Sequence, residues 1–327
     1  MGLVARPRAI WVNDNGSGLL ASYGFAGEAT SVAIHVPAPT GTGAGAPTGL
    51  VYNLTDAFTV TMSSTVAMRS SFLISTEDGT IAAWNSTLTS SAAVLAVNNS
   101  SSGAVYKGLA VARNSKGAAQ IYAANFYAGA IDVFDANFHL VKSFTDTTLP
   151  ANYAPFNITA IGGRLWVTFA LQRLPDKHDD VAGPGHGYID IFDTDGNFVK
   201  RFVSSGALNS PWGMAVAPGH FGDFSHALLV GNFGDGKINA YDLDTGNLLG
   251  HLTLPNGNDV VISGLWAIAI LNGEHSESGE AADTDGHGEG MEASDDKRLY
   301  FTAGINEEAH GLLGTLTPMA KAKSKDN

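Results

Sequence analysis

The sequence predicts an all-β protein in which six four-stranded antiparallel sheets surround a central channel, a six-bladed β-propeller. Three observations predict it. The 327 residues include 39 glycines and 12 prolines, and short Val/Ile/Tyr/Phe runs alternate with polar turn residues, with little helical periodicity. A related apolar segment recurs from Gly2, Gly49, Gly108, Asn157, Gly213 and Ala267, at intervals of 47 to 59 residues. Each copy is followed by further short runs in the same order. A sandwich of unrelated strands explains the turns but not this recurrence.

The first strand of each unit reads "GLVA", "GLVYN", "GLAVA", "NITAI", "GMAVA" and "AIAIL", and in a propeller this strand lines the channel. The second reads "AIWVND", "FLISTED", "IYAANF", "LWVTFA", "LLVGNF" and "LYFTAG". A third is clearest in "AIDVFD", "YIDIFD" and "KINAYD", and a hairpin with Asp-Gly-Asn or Thr-Gly-Asn leads to the fourth, as in "DTDGNFVKRF" and "DLDTGNLLGHL". The propeller is expected over residues 1–316 as a single domain, with a flexible tail at 317–327.

Ring closure in propellers commonly joins an N-terminal strand to C-terminal strands in one shared blade. Here the first unit begins at once with its channel strand, and Met1 stands where a later unit has Trp212. The sixth unit ends after "HGLLGTLTP" without a fourth strand. The expectation is that a closing strand and a signal peptide precede Met1 in the natural protein.

The net charge of −13 argues against a nucleic-acid partner, since phosphate binding requires a cationic face. Nine acidic residues fall between Gly273 and Asp296 with no Lys or Arg among them. That Gly/Ser/acid segment cannot form a core and is expected to be a disordered insert at about 273–296, in which His275 and His287 have no ligand spacing. The absence of cysteine excludes disulfides, thiolate metal sites and cysteine nucleophiles. No apolar run is long enough to span a bilayer. Asn-x-Ser/Thr sequons at Asn15, Asn53, Asn85, Asn98, Asn99 and Asn157 suit an extracellular surface.

Taken together, "WVNDNGSG", "APTGLVYN", "YAANFYAGAIDVFD", "LPANYAPFNI", "KHDDVAGPGHGYIDIFD", "ALNSPWGMAVAP", "LLVGNFGDGKINAYD" and "YFTAGINEEAHGLLG" resemble an uncharacterised family of secreted, NHL-like β-propeller proteins. The resemblance covers nearly the whole chain except the acidic insert and the tail. It implies a propeller and export, and it carries no established activity and no catalytic residues.

Strand one and the loop between strands two and three open on one face of the disc, where propeller ligands bind. One residue before each repeat start lie Met1, Thr48, Lys107, Phe156, Trp212 and Trp266. Metal-binding lactonase rings need several converging oxygen ligands at these positions, and here Asn157 is the lone amide, so that site is missing. Lys107, Phe156, Asn157, Trp212, Trp266 and the nearby Tyr127 instead suit a flat or anionic organic ligand. The simpler reading is that these aromatics plug the channel. Asn15, Asn125 and Asn232 beside glycines read as turn formers.

The fourth loop, residues 173–187, is longer and holds Lys177, His178, Asp179, Asp180 and His186. Imidazole with carboxylate on one loop makes a candidate metal or acid–base set, His178, Asp179, Asp180 and His310, with His178, Asp180 and His310 as metal ligands, provided that the loop folds inward over the mouth. A solvated loop with Asp-capped turns is the alternative. No nucleophile elbow, phosphate loop, zinc-protease helix or dinucleotide fingerprint is present, which excludes a nucleotide cofactor of those types. Three functions remain open: a secreted monomer binding a small molecule, glycan or protein; a divalent-metal hydrolase or lyase; and a structural extracellular module.

Overall fold

The computed structural model describes residues 2–6, 9–63, 66–85, 91–270 and 298–319. The first blade comprises β1 (Leu3–Arg6), β2 (Ala9–Asp14), β3 (Leu19–Tyr23) and β4 (Ala29–His35). The second begins with β5 (Pro47–Tyr52) and is interrupted by a separate hairpin, β6 (Thr59–Ser63) and β7 (Val66–Arg69), before β8 (Phe72–Thr76), β9 (Thr80–Trp84) and β10 (Val94–Asn98). The third holds β11 (Tyr106–Arg113), β12 (Ala119–Asn125), β13 (Ala130–Phe134) and β14 (Leu140–Phe144). The fourth holds β15 (Tyr153–Ile161), β16 (Arg164–Leu171), β17 (Tyr188–Phe192) and β18 (Phe198–Ser204). The fifth holds β19 (Pro211–Val216), β20 (Leu228–Asn232), β21 (Ile238–Tyr241) and β22 (Leu248–His251), and the sixth β23 (Leu265–Ile270), β24 (Leu299–Ile305) and β25 (His310–Leu316).

Strand pairing within every blade is antiparallel and follows chain order. β1 packs against both β5 and β23, so the six first strands close a ring, and the fold is a six-bladed propeller. The sixth sheet has three strands among the described residues. The expected acidic insert falls between β23 and β24 and lies, with Met1 and residues 320–327, outside the described residues. The β6–β7 hairpin escapes the sequence reading because it is an insertion into the repeat. Its approach places Phe58 and Val60 against Tyr106 and Phe134 in the core between blades two and three.

The repeated residues have structural work that explains the repetition. Asp132, Asp190 and Asn239 occupy one position in the third strands and are buried; Asp132 accepts hydrogen bonds from Tyr106 Oη (3.0 Å), Asn125 Nδ2 (2.9 Å) and Ser143 Oγ (2.6 Å). The following Asp135, Asp193 and Asp242 cap the hairpin turns by accepting backbone N–H bonds. Lys142 then donates to the Asp195 carbonyl, and Lys200 to the Asp244 carbonyl at 3.1 Å, so the turns of blades four and five are each clamped by the preceding blade.

Pairing of the first strands with the second slips between Pro47 and Leu50, Tyr106 and Leu109, Pro155 and Asn157, Pro211 and Met214, and Leu265 and Ile268. A bulge at this place re-aims the intervening side chains and lets neighbouring first strands approach closely. The glycine of the repeat permits that approach. A Cβ on Gly108 would lie 2.2 Å from Asn157 Oδ1 and 2.6 Å from Asn157 Cα, and one on Gly49 would lie 2.7 Å from the Leu109 nitrogen.

Candidate functional site at the channel mouth

The bulges deliver Thr48, Lys107, Phe156, Trp212 and Trp266 to one zone, and Met1 lies outside the described residues. Phe156, Trp212 and Trp266 are 0%, 4% and 9% exposed and belong to one cluster with Phe126, Ala170 and Tyr300. Trp266 has its ring centroid 5.8 Å from Phe156, 5.7 Å from Trp212 at 88°, and 4.2 Å from Phe233. These rings fill the channel. The Trp266 indole N–H donates to Glu308 Oε1 at 2.6 Å, while Trp212 Nε1 is buried without an acceptor among the described residues. Asn157 Nδ2 donates to the Trp212 carbonyl at 2.7 Å and so ties blade four to blade five. Tyr127 remains exposed on the rim.

Polar chemistry gathers around Lys107. Its ammonium is almost wholly enclosed, bonds Glu77 Oε1, and lies 3.8 Å from Asp179 Oδ1. Glu77 comes from the turn after β8, Lys107 from the β11 bulge, and Asp179 from the long loop between β16 and β17. That loop does fold inward. Val181 N–H returns to the Leu171 carbonyl at 2.8 Å, Gly183 N–H donates to Asn209 Oδ1 at 2.7 Å, and Ser210 N–H donates to the His186 carbonyl at 2.9 Å. Gln172 Nε2 donates to the Phe126 carbonyl at 2.5 Å, anchoring the loop to blade three.

Around the ammonium, Asn15 Nδ2 donates to Glu77 Oε2 at 3.1 Å, and Arg173 pairs with Asp179 Oδ2 and, at 3.4 Å, with Asp176. His178 Nδ1 lies 2.9 Å from Asp179 Oδ1. Burial alone would raise the Glu77 carboxyl, but the Lys107 charge and hydrogen bond hold it below the usual carboxylate range. Asp179 is likewise held low against its burial, by His178, Lys107 and Arg173. Asp180 is shifted the other way: burial pushes its carboxyl up, the Asp179 charge adds to this, and Ser210 and Lys107 offset part of it.

The group with metal-ligand spacing differs from the expected one. Among the described residues, Glu77, His178 and Asp179 bring ligand atoms within 4.8 Å of one another, and neither Asp180 nor His310 belongs to that group. His310 is an exposed residue at the start of β25, paired through its backbone with Ile305 in blade six. Asp180 departs because the loop turns inward beside Ser210. Lys107, expected to face an organic anion, is paired with Glu77 and lies beside Asp179. Asn125 accepts from Ala128 N–H within its turn as expected, whereas the Asn232 side chain donates to the Ala207 carbonyl of a neighbouring segment and Asn15 joins the site. The sequence hides Glu77 because "TEDGT" reads as a turn; its signal is Lys107, since a buried lysine requires a carboxylate partner.

No protein-family model matches the chain. Uncharacterized protein R648 of Acanthamoeba polyphaga mimivirus is 33% identical over 278 residues, covering 83% of this chain and 62% of R648. Uncharacterized protein L690 of the same virus is 30% identical over 329 residues, covering 96% of this chain and 79% of L690. The chain belongs to this mimivirus protein family. A third member, uncharacterized protein R640, is 33% identical over 228 residues, 68% of this chain and 42% of its own length. The chain thus spans less than two thirds of both R648 and R640. Among solved structures, a chain of the COPII outer coat vertex on membranes aligns with a TM-score of 0.55 at 9% identity, covering 97% of this chain and 68% of that chain. At that identity the likeness is one of fold alone.

Proposed function

We propose that this member of the mimivirus protein family is a binding propeller, an exported NHL-like ring that holds its ligand on the face built by the loops between second and third strands. The observation that carries this reading is the inward-folded blade-four loop, which joins blades two, three and four into one polar cluster around Lys107. The plugged channel leaves the rim as the contact surface. Glu77, Asp78, Asp176, Asp179, Asp180, Asp235, Glu307 and Glu308 outnumber Lys107, Arg173, Lys177 and Lys237 on this face, so the favoured ligand carries positive charge: a basic segment of a protein or a cationic small molecule.

A panel of basic, neutral and acidic peptides tests it. Basic peptides are expected to bind, to weaken as salt rises from about 50 to about 300 mM, and to weaken further in Asp176→Asn and Asp179→Asn. Preference for acidic peptides, or binding indifferent to both salt and variants, sinks the reading.

A second reading, a metal-dependent hydrolase or lyase, is favoured by the Glu77, His178 and Asp179 group. A divalent ion there would displace the Lys107 ammonium from the carboxylates and act as a Lewis acid toward a bound oxygen. Metal analysis of untagged protein decides: a stoichiometric ion that His178→Ala loses supports the enzyme, and metal-free protein whose melting does not respond to added zinc or manganese removes it.

A further inference from the structure

We infer that this fold accepts an N-linked glycan at Asn98 alone among its six sequons, and that a chain glycosylated before folding at Asn53 or Asn157 is barred from the native state. The inference holds whatever the rim binds. Glycan transfer joins Asn Nδ2 to C1 of a sugar carried on a lipid diphosphate; one amide proton leaves and the lipid diphosphate is released. The carboxamide keeps a single N–H and gains a substituent larger than any side chain. Whether a position tolerates this depends on its room and on the use of its two amide hydrogens.

Asn53 fails on both counts. It is 0% exposed, and its two N–H groups donate to the carbonyls of Ala57 and Ser70, each at 2.9 Å. Its Oδ1 accepts from Thr55 N at 2.9 Å and Thr55 Oγ1 at 2.7 Å. A glycan removes one of these buried bonds and needs space that the closed turn before β6 lacks. Asn157 donates to the Trp212 carbonyl at 2.7 Å, and the ring of first strands packs so tightly there that a methyl on Gly108 would already clash with it. Asn85 is also buried.

Asn15 has both amide hydrogens engaged, with Pro47 and Glu77, and Asn99 is half-buried with its amide donating at 2.7 Å to the Oη of the fully buried Tyr106. Asn98 differs. It is exposed at the end of β10 and donates one N–H to the Pro39 carbonyl at 2.8 Å on the surface, while its Oδ1 caps the turn through Ser100. Its second N–H has no acceptor among the described residues.

An oligosaccharyltransferase meets the extended chain as it is translocated, when Asn53 and Asn157 are as accessible as Asn98. The fold is therefore suited to a compartment without that enzyme, or to export after folding.

The test directs the protein into the endoplasmic reticulum of cultured cells. The parent is expected to be glycosylated and retained, and to be released about tenfold better when synthesis of the lipid-linked donor is inhibited. A variant carrying Ser17→Ala, Thr55→Ala, Thr87→Ala, Ser101→Ala and Thr159→Ala keeps every asparagine but only the Asn98 sequon. It is expected to be secreted, folded and glycosylated at Asn98. A secreted, folded parent with a glycan mapped to Asn53 or Asn157 overturns the inference. So does retention of the parent that the inhibitor does not relieve, or a secreted variant bare at Asn98.

Discussion

Replacing Asp190 by Asn should flatten the pH dependence of stability. Asp190 lies on β17 with no exposure, its Oδ1 accepts from Arg201 Nε, and its Oδ2 is buried without a donor. Burial pushes its carboxyl up from 3.8 to about 7; Arg201 opposes this, and the nearby Asp146 charge adds to it. Asp146 is held low in spite of its own burial, by Thr148 and by the shared guanidinium. Asp190 and Asp146 share the guanidinium as one coupled pair, in which Asp190 is the member pushed towards the protonated form. A raised carboxyl stabilises the fold fully below the unfolded value of 3.8 and loses that contribution as pH climbs through about 7. At 1.36 kcal/mol per pH unit, the loss between pH 5 and pH 8 is about 3 kcal/mol. Urea unfolding of parent and Asp190→Asn at both pH values measures it. The parent is expected to lose about 3 kcal/mol more than the variant over that interval; equal losses in the two proteins would falsify the assignment of the raised carboxyl to Asp190.

Further outcomes follow from the channel and its rim. Trp212→Ala should cost about 3–5 kcal/mol by emptying the aromatic plug, whereas Trp212→Phe should cost about 1 kcal/mol, since the indole N–H has no acceptor to lose; thermal melts separate the two, and equal costs would refute the plug. Lys107→Met should cost about 3–5 kcal/mol by stranding the buried Glu77, and adding Glu77→Gln should recover part of it; additive losses in the double-mutant cycle would show that the pair does not interact. Gly108→Ala should destabilise by several kcal/mol, about as much as a buried cavity mutation, because its Cβ would meet Asn157 backbone at 2.6 Å. At Gly129, where nothing lies within 4 Å, alanine should cost only about 1 kcal/mol of backbone strain; similar melting losses at the two positions would argue against the close approach.

The blade architecture was legible because a propeller repeats one local problem. Blades three, four and five share a turn-capping Asp after the third strand, and several first strands carry a glycine where they meet, so Asp135, Asp193, Asp242, Gly49, Gly108 and Gly213 recur at equivalent places. These demands act between residues close in sequence or between identical neighbours, and they leave a period. The β6–β7 hairpin left none, being an insertion made once.

The candidate site was half legible. The unusual length and His/Asp content of the blade-four loop marked His178 and Asp179, and the repeat start marked Lys107. Their partners were not marked: Glu77 lies 30 residues from Lys107 in sequence and Asn15 lies 62 from Glu77. The sequence by itself determined the number of blades, the face on which loops gather and the residues aimed at the channel, because each follows from strand periodicity and turn chemistry. Only the tertiary structure decided that the aromatics fill the channel, that Lys107 is paired with Glu77 beside Asp179, and that Asp180 and His310 fall outside the Glu77, His178 and Asp179 group. Those outcomes depend on closing a ring, which brings side chains from different blades to within a few ångströms with no imprint on local sequence.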